Sequence, residues 1–70
     1  MNETKTLGDA LPEEIKRVTA LIPIYVQCGA PAAYAVAMMK VSLDRATRAI
    51  SEGDVIEMVE CLVDLQGYSA

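Results

Sequence analysis

Three carboxylates, Glu57, Glu60 and Asp64, recur at spacings of three and four and so share one face of a helix. Carboxylates in that arrangement can hold a divalent cation or move a proton. They also make an ordinary solvated helix face, which is the reading adopted here, because the residues that would complete a site are missing. The chain has no histidine, so Ser-His-Asp and Cys-His pairs are excluded. Ser42 and Ser51 have no activating base nearby in sequence. Cys28 and Cys61 lie 33 residues apart without Cys-x-x-Cys spacing, which argues against a metal site and fits two reduced thiols acting as small core groups. Gly8, Gly29, Gly53 and Gly67 stand singly and read as turn or cap glycines rather than a phosphate loop. Tyr25 and Tyr34 can line a pocket but fit core packing better, and Met38 and Met39 read first as gap-fillers. The sequence therefore predicts no enzyme, no catalytic or metal residue and no cofactor.

The bulk properties narrow the classes further. Seventy residues make one domain, and a chain this short hides only about 60% of its unfolded surface, so a lone monomer is expected to be marginal. Apolar residues form 53% of the chain, with many alanines and no Phe or Trp, a composition suited to close helix packing. The formal charge is −4, with six basic residues against ten acidic, which argues against nucleic acid as a partner. Met1–Lys5 is polar and lacks the apolar run of a secretory signal, so a cytoplasmic location is expected.

The elements that carry these residues read as helices. Residues 1–10 are polar, aperiodic and expected to form a flexible arm, leaving 11–68 as a single helical domain. A first helix is placed at 12–28, opened by Pro12 at its first position and by Glu13 and Glu14, with Ile15, Val18, Ile22 and Tyr25 on one face. Pro23 either kinks or ends it, and a kink is preferred because Ile24–Val26 continue the pattern. After Gly29, Pro31 opens a long central helix at 31–51. Its first half is uncharged, and Ala35, Ser42, Ala46 and Ala49 give it a small-residue edge. Lys40, Asp44 and Arg48 lie four apart on its wet side, where Lys40–Asp44 and Asp44–Arg48 can pair. Gly53 and Asp54 form a turn and N-cap, with Glu57 completing a capping box, before a short third helix at 55–66. Tyr68–Ala70 reads as a tail.

The fold expected is therefore all-α, with a kinked first helix, a long central one and a short C-terminal one. Its apolar stripes are too wide to be covered within one chain, so it is expected to pack as a homodimer and to bind another protein. Tyr34, Met38, Met39, Ala46, Ile50, Met58, Val59, Leu62 and Leu65 are the interface residues this predicts. Two alternatives remain open. Residues 18–39 carry no charge and are long enough to span a bilayer, though Pro23 and the Gly29-Ala30-Pro31 break argue against a span. The second and third helices around Gly53 also have the order of a helix-turn-helix, although the third carries only acidic charges.

One resemblance adds to this. Leu11-Pro12-x-x-Ile15 with Arg17, Pro31-Ala32-Ala33-Tyr34 leading to Met38, Ala49-Ile50-x-x-Gly53-Asp54-Val55-x-x-Met58 and Leu65-x-Gly67-Tyr68 together resemble a group of short helical proteins encoded by tailed phages and prophages. The likeness spans residues 11–68. It implies a bacterial cytoplasm and an accessory role in phage–host interaction. With no known activity in that group, it transfers no site residues.

Overall fold

A computed structural model describes residues 6–69. Among them are three α-helices and no strand: α1 (Leu7–Gln27), α2 (Ala33–Glu52) and α3 (Val55–Gln66), with a single 3-10 turn at Ala30–Ala32 between the first two. Each helix touches both others.

The first helix starts earlier than the sequence reading placed it. Thr6 is its N-cap, its hydroxyl accepting a hydrogen bond from the Asp9 amide at 3.2 Å. Residues 7–10, expected in the arm, are the first turn of α1, and residues 1–5 lie outside the described residues. Pro12 is thus inside the helix rather than at its opening. Its missing N–H would have bonded the carbonyl of Gly8, an exposed residue whose oxygen water can serve instead. The helix also runs through Pro23 to Gln27. Leu21 on one side of that proline, and Ile22 and Tyr25 on either side, pack on the core and hold the element together across the break.

The two connections rest on glycine. Gly29 has φ 81° and ψ −155°, an extended conformation of the mirror-image region that essentially only glycine adopts. Gly53 has φ 66° and ψ 27° in the left-handed helical region. Its amide donates to the Ile50 carbonyl and the Asp54 amide to the Ala49 carbonyl, each at 3.1 Å, the paired closure of a Schellman motif. Asp54 then caps α3, accepting from the Glu57 amide at 3.1 Å. Only this half of the expected capping box forms. The Asp54 amide is already engaged, and the Glu57 carboxylate is turned to Arg45.

Leu11, Val18 and Leu21 of α1, Met39, Ala46 and Ala49 of α2, and Cys61 and Leu65 of α3 form the core. The small side chains on α2 let its neighbours approach closely. Ser42, also buried, meets the Tyr68 hydroxyl at 3.1 Å. Tyr68 is therefore docked against the core rather than forming a loose tail.

Candidate interaction surface

α3 has two apolar faces. Residues advance about 100° around a helix at each step. Cys61 and Leu65, with Met58 and Leu62 beside them, fall on one side and meet the core. Val55, Ile56, Val59 and Val63 fall within a sector about 100° wide on the far side. They face solvent: Ile56 is 75% exposed and Val63 65%. Glu57, Glu60 and Asp64 occupy the sector between the two faces on one edge.

That acidic edge is tied to α2 at one point. Arg45 donates from Nε and Nη2 to Glu57 Oε2 at 3.0 and 2.6 Å. The hydrogen-bonded Glu57 carboxylate raises the Arg45 pKa further above its ordinary value. Beneath it, burial pushes the Cys61 thiol upward, with the nearby Arg45 charge opposing the shift, so the thiol stays protonated. The far end of α3 is held by α1. Arg17 donates to the carbonyls of Leu65 and Tyr68 at 2.9 and 2.8 Å, while Glu14 accepts from its Nε and Nη2 at 3.1 and 2.9 Å. The Tyr25 hydroxyl donates to the Ser69 carbonyl. α3 is thus tied to α2 near its start and to α1 at its end.

The nine residues expected at an interface separate into three groups. Met39, Ala46 and Leu65 are fully buried in the intramolecular core and are unavailable to a partner, which corrects the sequence reading. They lie on the faces that α2 and α3 turn to the core. Met58 and Leu62 are half-buried against the same core. Tyr34, Met38, Ile50 and Val59 are exposed, Tyr34 at 77%. Val59 stands with Val55, Ile56 and Val63, three exposed residues outside the interface that the sequence predicts. Val41 is likewise exposed on α2, one turn from Met38. The signal that finds them is angular: on α3 they lie opposite Cys61 and Leu65.

Among the described residues ion pairs stand at Arg17–Glu14 and Arg45–Glu57, and none at Lys40–Asp44 or Asp44–Arg48. A shallow groove of about 310 Å³ at the α1–α2 corner is lined by Val26, Gly29, Ala30, Ala33 and Val36, with no titratable side chain. Among the described residues no group of three His, Cys, Asp or Glu could hold a metal ion. None of the described helices is long and apolar enough to cross a membrane, and the uncharged run 18–39 is divided between α1 and α2 by the Gly29–Ala32 turn.

Comparison with protein-family models, with curated proteins and with solved structures finds no match to this chain.

Proposed function

We propose that this is a non-enzymatic helical interaction protein that binds and modulates another protein through an apolar helical surface. The observation that supports this most is the outer face of α3, where three valines and an isoleucine occupy positions that the core does not need. A contiguous exposed apolar patch on an ordered helix is the usual mark of a contact surface. Self-association as a homodimer belongs to the same proposal. The face offered for it is Tyr34, Met38 and Val41 on α2, whose first half, Ala33–Met39, carries no charge to repel a second copy. The resemblance to phage and prophage proteins supports an accessory role in the bacterial cytoplasm. A membrane-spanning reading has no helix to rest on among the described residues, and a DNA-reading α3 would set three carboxylates against phosphates.

The test is affinity purification from bacterial lysate with the wild-type chain and with the Ile56→Gln/Val63→Gln variant. The expected result is a protein retained by the wild type and lost from the variant, with the circular dichroism of both unchanged. An identical set of retained proteins would refute the reading.

A further inference from the structure

We infer that the outer face of α3 takes a basic amphipathic helix from its partner, an inference that rests on reading this face as a contact surface. The apolar part of the argument is the stripe itself. Val55, Val59 and Val63 recur at four-residue intervals with Ile56 beside them, a stripe of the kind that receives another helix. α3 has twelve residues, so an occupant of about three turns matches its length.

Charge decides which helix. Glu60 and Asp64 run along one edge of the stripe, both exposed, and neither has an ion-pair partner among the described residues. α3 itself carries no lysine or arginine. One turn away, Arg45 already engages Glu57 at this same edge, so the chain itself contains one instance of a guanidinium lying along it. An incoming helix with lysine or arginine beside its apolar stripe would do the same for Glu60 and Asp64.

The other occupants fit less well. In a two-fold antiparallel pairing of α3 with its own copy, both acidic edges fall on the same side, carboxylate against carboxylate. A two-fold parallel pairing offers them no cation from α3. Anionic lipid surfaces and nucleic acids meet the same repulsion. The patch is small, which places the contact among weak, exchangeable interfaces.

The test uses two synthetic helical peptides sharing one leucine stripe, flanked by lysine in one and by glutamate in the other. Their binding to the full chain is followed by fluorescence anisotropy. The lysine peptide is expected to bind about tenfold or more tighter than the glutamate peptide, with the difference shrinking in high salt. Ile56→Gln/Val63→Gln, which leaves the charge untouched, should abolish binding. Glu60→Lys/Asp64→Lys should reverse the preference. Equal binding of the two peptides, binding of neither, or binding of the lysine peptide that survives Ile56→Gln/Val63→Gln would overturn the inference. So would self-association in sedimentation that Val63→Gln removes, because a second copy would then be the occupant. If the lysate experiment yields a partner lost from the glutamine variant while neither peptide binds, the interaction reading stands and the basic helix alone fails.

Discussion

Arg17 on α1 donates a hydrogen bond to the backbone carbonyl of Leu65, 48 residues away in the last turn of α3. The last carbonyls of a helix have no partner within it, and a cation there also suits the negative end of the helix dipole. With Glu14 fixing the guanidinium and Tyr68 offering a second carbonyl, one side chain joins the first helix to the end of the last.

Replacing Arg17 by alanine is expected to cost about 2 kcal/mol, since hydrogen bonds from a charged donor contribute about 1.5–3 kcal/mol and this one is partly exposed to water. Urea unfolding of wild type and variant measures it. A loss below ~0.5 kcal/mol would show that water serves the two carbonyls equally well.

Ala46 is fully buried in the core between the helices. Ala46→Leu is expected to destabilise by about 1–3 kcal/mol through overpacking. For a domain of this size that lowers the melting temperature by several degrees or more, at about 4–8 °C per kcal/mol. An unchanged melting temperature would show that α2 has slack against its neighbours.

Gly53 separates backbone strain from crowding. A Cβ built there meets nothing within 4 Å, so Gly53→Ala bears only the left-handed conformation at φ 66°. The expected cost is about 1 kcal/mol, with Gly53→Asn cheaper because asparagine tolerates this region. Denaturant midpoints for the pair decide it.

The two cysteines should differ sharply toward an alkylating reagent. Cys28 is exposed; Cys61 is buried, and its thiol is held protonated. One equivalent of iodoacetamide should react with the native protein at mildly alkaline pH, and the second only on unfolding, as mass spectrometry will register. The linkage has a definite sign. Because burial raises the folded-state pKa of Cys61 above its unfolded value, this contribution to stability is complete below the unfolded pKa and is lost as pH rises through the folded one. Stability should therefore fall on the alkaline side, and less steeply in Cys61→Ala.

Much of this architecture was legible from local chemistry. Gly53, Asp54 and Gly67 bound α3 at the residues expected, because a left-handed exit and an aspartate cap are written in adjacent positions. The start of α1 has a local signal too, the Thr6 side chain that caps the Asp9 amide, but the sequence reading rests on Pro12 and does not use it. What local reading does not reach is contact between distant residues. The assignment of Met39, Ala46 and Leu65 to the core rather than to an interface depends on how three helices face one another. The reach of Arg17 to α3 and of Ser42 to Tyr68 depends on the same arrangement, and helical periodicity leaves it open.

Across its Cα atoms the molecule measures 14 Å along its shortest axis, the width of two stacked helices at an ordinary interaxial spacing of about 9 Å. A slab of that thickness has a single stratum of interior side chains, so each helix keeps a back turned to water. Lysine or glutamine at positions 56, 59 and 63 would build the same slab. Branched aliphatic residues there are a demand the slab itself does not make, and their conservation or drift among natural variants would be governed by whatever they touch.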